Sequence, residues 1–314
     1  MAVFTQLSSA DADRIAQVCG LGKVLVVTPV AAGSVNSNFY LDTADRRVFV
    51  RIYEEQGIDG VSYEWALLRY LKERGFKVAA PLPGVSPEEL MFHEKPIGAF
   101  ECVGGQQSCQ RAVTIARAAA VGQWLAGVHL AMQGFPEKRH GRFTLSHIKE
   151  RLFGVNPGQD AELATVVSRL KGWLEQLEPI WPPALPCGVI HGDLFRDNVR
   201  WHHNDIVAVI DWESASEGVF VYDLMVAVLA WCFDERWDWQ LASAMVTGYD
   251  RVRPLSEHER QSLKLCGTYA ALRFTVTRIT DFHSRQSIGD RVHKDYRRFW
   301  QRLDYINSYS AQEF

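Results

Sequence analysis

Apolar and polar positions follow strand-like spacing along the first hundred residues and helical spacing along most of the rest. Apolar-rich runs at 24–30, 38–42 and 47–53 are short and are separated by a small polar loop and an Ala44-Asp45 turn, the pattern of an antiparallel meander. Ser8, three positions before Asp11, predicts a capping box that opens a helix running to Cys19 and stopping at Gly20. Over 62–74 Trp65, Leu68 and Leu71 share one helical face, and Gly75 marks the stop. The proline-bearing stretch 79–89 predicts an extended loop, followed by apolar runs at 90–92 and 99–103.

Gly104-Gly105 then punctuates the chain. Beyond it the spacing predicts helices over 109–132, 160–178, 223–250, 256–280 and 294–308, and only the island 187–211 reads as strand. A β-rich first third, a double-glycine joint and a helical remainder predict an α+β fold of two lobes with a cleft between them: a small β-rich N-lobe over 1–103 and a larger, mainly helical C-lobe over 104–314.

The 314 residues are 47% apolar, with 34 Lys and Arg against 37 Asp and Glu, a net charge of −3. A chain of this length builds its own core, which excludes disulfide scaffolds and disordered segments as classes. It lacks the basic field that nucleic acid or an anionic membrane surface would require. Cys19, Cys102, Cys109, Cys187, Cys232 and Cys266 form no CxxC pair and read as buried thiols in a reducing cytosol. No run approaches the roughly 18 apolar residues of a membrane span, and the opening MAVFTQLSS has no basic stretch leading into an apolar one. The expected location is the cytoplasm.

Candidate chemistry concentrates in GVIHGDLFRDNVRW. A short apolar run leads to His191-Gly192-Asp193, Asn198 follows five positions after Asp193, and a second run from Ile206 to Ile210 delivers Asp211. Phosphoryl transfer from ATP requires a carboxylate to orient the acceptor hydroxyl and oxygen ligands to hold Mg²⁺ on the phosphates. Asp193 suits the first role; Asn198 and Asp211 suit the second.

On these residues the chain resembles the aminoglycoside-phosphotransferase and choline-kinase superfamily, of protein-kinase-like fold. The resemblance implies that Asp193 is the catalytic base, that Asn198 and Asp211 are metal ligands, that His191 packs under Asp211, and that Asp223 braces the catalytic loop. In the first lobe it assigns ATP contacts to Arg51 and its helical partner Glu64. It also places Ser34, Asn36 and Ser37 in a nucleotide-covering loop, and Glu101 to Val103 at the hinge that meets adenine. Arg51 stands where kinases of this fold carry lysine, which leaves a noncatalytic nucleotide-binding module as a rival reading.

Within that superfamily the chain is most similar to the bacterial homoserine kinases, through AGSVNSNFYL, RIYE, AWCFDERW, GYDRVRPLSEHER and ALRFTVTRITDF. It departs from them at Leu229-Ala230, in WESASEG after Asp211, and in PEKRHGRFTLSH. The implied reaction transfers the γ-phosphate of ATP to L-homoserine, a step of threonine biosynthesis. The alternative is another amino alcohol, choline, ethanolamine or an aminoglycoside. An amino-acid acceptor calls for a cation at its carboxylate, with Arg196, Arg273 and Arg278 as candidates, and an acid at its ammonium, with Glu213, Asp234 and Glu235 as candidates.

Overall fold

A computed structural model of the chain describes residues 5–30, 35–182, 184–283 and 294–308. They fall into two compact units. One runs to Gln106 and takes in Val207–Glu213; the other comprises Gln107–Ile206 and the described chain from Ser214 onward.

The first unit begins with α1 (Ser9–Val18), opened by the expected capping box: the Asp11 amide donates to Ser8 Oγ at 3.2 Å and the Ser8 amide to the Asp11 carboxylate at 3.1 Å. The meander follows as β1 (Val24–Val30), β2 (Ser37–Thr43) and β3 (Arg47–Ile52). After α2 (Ile58–Glu73), β4 (Met91–Phe92) and β5 (Lys95–Glu101) complete an antiparallel sheet of order β1-β2-β3-β5-β4. β1 lies at the edge; it carries a bulge between Val24 and Val26, contains Pro29, and exposes Leu25 and Val26. The buried face of α2 presents Val61, Trp65, Leu68 and Leu71, each of which contributes about 1.5–3 kcal/mol by leaving water. Glu64 lies on that same face. The excursion 207–213 is stitched to this unit by the Val209 amide, which donates to the Lys77 carbonyl at 2.8 Å.

The second unit contains α3 (Ile115–Ala131), α4 (Leu145–Phe153) and α5 (Ala161–Leu177), then β6 (Cys187–Ile190), β7 (Val199–His202), the start of β8 (Asp205–Val209), whose residues from Val207 belong to the first unit, and β9 (Ser216–Val219). Helices α6 (Phe220–Trp231), α7 (Trp239–Val252), α8 (Glu257–Arg278) and α9 (Arg297–Ser308) follow. Every residue of α6 is buried, as its all-round apolar sequence requires, and Asp223 is its one charge. α3 and α7 approach backbone to backbone: a Cβ on Gly122 would lie 2.0 Å from the Met245 carbonyl oxygen, and one on Gly248 would lie 2.3 Å from that of Ala119. α8 passes directly into a π-helical turn, Ile279–His283.

Several predicted bounds change for local reasons. The helix expected over 223–250 is two, because Asp238 caps α7, accepting the Gln240 and Leu241 amides at 3.0 and 3.1 Å, and the polar Asp234-Glu235-Arg236 turn remains exposed. The helix expected from 109 starts at Ile115, where Thr114 Oγ1 accepts the Arg117 amide. α4 and β9 are additions. α4 is only nine residues long, and β9 (SEGV) lacks an apolar alternation and forms by antiparallel pairing with β6.

Candidate active site

In the first unit, β3 aims Arg51 from a register position opposite Asn38 on one side and Gly98 on the other. Its Nη1 meets Asp211 Oδ1 at 3.1 Å and lies 3.8 Å from Glu64 Oε1, so the expected Arg51–Glu64 pairing is present with Asp211 as the nearer carboxylate. Burial works against the Arg51 charge, but Asp211 and Glu64 beside it hold its pKa above the usual arginine range. Burial pushes Glu64 up to about 7, against the pull of Arg51 and with Glu213 and Asp211 adding to the rise; the Tyr53 hydroxyl donates to it at 3.1 Å. Asp211 adopts φ of +67°, a left-handed conformation that costs a non-glycine residue of order 1 kcal/mol and turns the chain sharply after β8.

Asn36 and Ser37, at the described end of the segment expected to cover nucleotide, are tied into the fold. Asn36 Nδ2 donates to Glu213 at 2.6 Å while its Oδ1 accepts the Glu54 amide at 3.2 Å. Ser37, expected to contact phosphate, is fully buried and its hydroxyl donates to Glu54 at 2.5 Å, so that group is spent inside the fold. Ser34 lies outside the described residues. Glu101 ends β5 with its amide on the Ala80 carbonyl and its carboxylate on Lys72 at 2.6 Å; Val103 follows, half-buried. Glu213, expected as an ammonium partner, accepts from Asn36 Nδ2 and lies near enough to Arg51 to favour its charge.

In the second unit the 191–198 loop hangs from both ends of α6. At its start Asp223, fully buried, accepts the His191 and Gly192 amides at 2.8 Å each and the His129 ring at 3.1 Å. Burial opposes the Asp223 charge, but these donors win and hold the carboxyl below its usual range. Burial lowers His129, whose neutral ring joins Asp223 on Nε2 to the Tyr249 hydroxyl on Nδ1, at 2.7 Å. At the other end of α6 the Trp231 indole donates to the Leu194 carbonyl at 3.0 Å and Arg196 to the Ala230 carbonyl at 3.1 Å. Gly192 takes φ of +74°, and a Cβ there would stand 3.2 Å from the Ser214 carbonyl oxygen. Within the loop the Asp193 amide donates to His191 Nδ1 at 3.3 Å, and Asn198 Nδ2 donates to the Asp193 carbonyl at 2.8 Å.

That last bond commits the nitrogen of the Asn198 amide and makes its oxygen the donor a cation would meet. An amide oxygen in this unit, and separately the Asp211 carboxylate in the first unit, are hard oxygen donors of the kind Mg²⁺ takes. Among the described residues no three His, Cys, Asp or Glu side chains converge as a softer metal would require.

The substrate candidates separate. Arg278 ends α8, and Asp193 is the carboxylate that acts most strongly on its charge. Arg273 is buried between the rings of Phe143 and Phe274, with Cζ 3.8 Å from each centroid. Asp234 and Glu235 lie on the exposed turn after α6. Residues that sequence reasoning missed are Tyr53, which donates to Glu64, and His129 and Tyr249, which extend the hydrogen-bond chain from Asp223. No local signal marks His129, since a histidine inside an apolar helix reads as core.

The sequence profile described as the phosphotransferase enzyme family matches residues 26–255. A homoserine kinase of Phenylobacterium zucineum is 34% identical over 291 residues, covering 90% of this chain and 88% of that one. One of Caulobacter vibrioides is 32% identical over 296 residues, covering 90% of each. Among solved structures, amicoumacin kinase hAmiN, in complex with AMP-PNP, Ca²⁺ and Ami, superposes with a TM-score of 0.71 at 16% identity, over 91% of each chain. The fold is that of the protein-kinase-like phosphotransferases, and no helix among the described residues is long and apolar enough to cross a membrane.

Proposed function

The chain belongs to the phosphotransferase enzyme family, and from that premise we propose that it is a cytoplasmic kinase that transfers the γ-phosphate of MgATP to the hydroxyl of L-homoserine. The observation that carries the acceptor is the likeness to homoserine kinases over about nine-tenths of both chains.

In this reading Asp193 accepts the hydroxyl proton of homoserine as the oxygen bonds to the γ-phosphorus and the bond to the β-phosphate oxygen breaks, releasing ADP and O-phospho-L-homoserine. Asp223 keeps the Asp193 loop in register through the His191 and Gly192 amides. Arg51 offers phosphate oxygens a planar fork held in place by Glu64 and Asp211. Asn198 and Asp211 would hold Mg²⁺ through their side-chain oxygens, with Glu213 two positions after Asp211 in the sequence. When bound, Mg²⁺ neutralises charge on the phosphates.

ADP release by the purified protein with MgATP, measured against L-homoserine, L-serine, choline, ethanolamine and an aminoglycoside, tests this directly. Selective turnover of L-homoserine is expected; turnover confined to another alcohol would reassign the acceptor.

A further inference from the structure

Beside the Asp193 loop the second unit forms an open cavity of about 550 Å³. Five cations line it, Arg196, Arg278, Lys294, Arg298 and Arg302, against two carboxylates, Asp197 and Asp295. The chain as a whole carries −3, so this is a local inversion of charge. Among the described residues none of the four arginines forms an ion pair within 4 Å. Arg302 is 8% exposed, its two longest-reaching nitrogens touch only the Arg298 and Phe233 carbonyls at 3.3 and 3.4 Å, and its Nε has no partner among the described residues.

A buried cation without an anionic partner is expensive, and Arg302, with the half-buried Arg196 and Arg278 and the exposed Arg298 around the same space, gains when an anion enters it. Burial, with repulsion from Arg278, Arg196 and Arg298, pushes Arg302 down to about 9, and burial pushes Arg278 down to about 10. The ring of Phe299 stacks beneath both guanidiniums, 4.5 Å from Arg278 and 4.4 Å from Arg302, fixing where their forks can point. Arg278 also closes α8 where the π-helical turn begins, and π turns recur at functional sites. The cavity opens beside Phe195 and Arg196, two and three positions after Asp193, on the loop where an acceptor hydroxyl must arrive.

We infer that this cavity is the receptor for the carboxylate of the acceptor substrate, with Arg278, Arg298 and Arg302 as its specificity-determining residues. The inference rests on the homoserine reading and deepens it. A space of this charge repels choline and aminoglycosides, which are cations, and selects an acceptor that carries an acid group.

The test compares kcat/KM for L-homoserine with that for 3-aminopropan-1-ol, which is homoserine without its carboxylate, in wild type, Arg298→Gln and Arg302→Met. The ratio of the two is expected to fall about 10- to 100-fold in each variant, the worth of a charge-assisted contact. Arg298 is exposed, so its variant decides the matter if Arg302→Met does not fold. An unchanged ratio, or an equal loss with both substrates, overturns the carboxylate assignment while wild-type turnover of homoserine leaves the acceptor standing. Absence of homoserine turnover in the wild type overturns both.

Discussion

Asp223 and Gly192 are joined by one buried hydrogen bond of 2.8 Å, from the glycine amide to a carboxylate oxygen. The other oxygen takes the preceding amide, that of His191, and the pair fixes the backbone where Gly192 turns into a positive φ just before Asp193. An acid at the start of a buried helix thus acts as a clamp on a loop rather than as a reagent.

Replacing Asp223 with asparagine leaves one oxygen to accept what two accepted, and aims an amide at a backbone N–H. A loss of about 2–4 kcal/mol is expected in urea denaturation, together with a fall in kcat greater than the rise in KM for MgATP.

Asp193→Asn removes the proposed base while keeping the loop bonds, which run through the Asp193 backbone. Turnover with homoserine is expected to drop by about 10³-fold or more, with MgATP affinity by calorimetry within a few-fold of wild type. Retained turnover would remove Asp193 from the mechanism.

Glu64 carries a pH signature. Its carboxyl is raised to about 7 in the fold against an ordinary value of 4.5, so the folded state binds more protons between those values. The stability it contributes is complete below the unfolded pKa and is lost as pH climbs through about 7. Glu64→Gln lacks this dependence. Its stability relative to wild type should improve by on the order of 2 kcal/mol from pH 5 to pH 8, read from urea midpoints.

Gly248→Ala sets a methyl against the Ala119 backbone, and backbone cannot swing aside. A loss of about 3 kcal/mol and a lower Tm are expected. Gly172→Ala, in α5 with nothing within 4 Å of the new methyl, should instead gain up to about 1 kcal/mol.

Much of the fold is legible in the sequence. The meander, the Ser8 capping box, α2 with its Trp65 face, and the short apolar runs that lead into the 191–198 loop and to Asp211 each rest on short-range patterns that local chemistry enforces. What sequence could not supply depends on packing between distant segments. The break at Asp238 hides inside a run whose two halves both have helical period. β9 is strand only because β6 lies beside it. His129, 94 residues from Asp223, and Arg302, more than a hundred from Arg196, join their clusters only through tertiary contact. Ser37 shows the converse: a polar loop residue by pattern, it opens β2, buried, with its hydroxyl on Glu54.

The bulge and Pro29 in β1 have a bearing on how the protein behaves in concentrated solution. A sheet edge with Leu25 and Val26 turned outward is a template on which a second chain could add a strand. Pro29 removes one amide from that template and the bulge between Val24 and Val26 spoils its regularity, so the edge is kept apolar yet poor at recruiting neighbours. Two small irregularities at the rim of the sheet therefore guard against self-assembly, a task unconnected with phosphate.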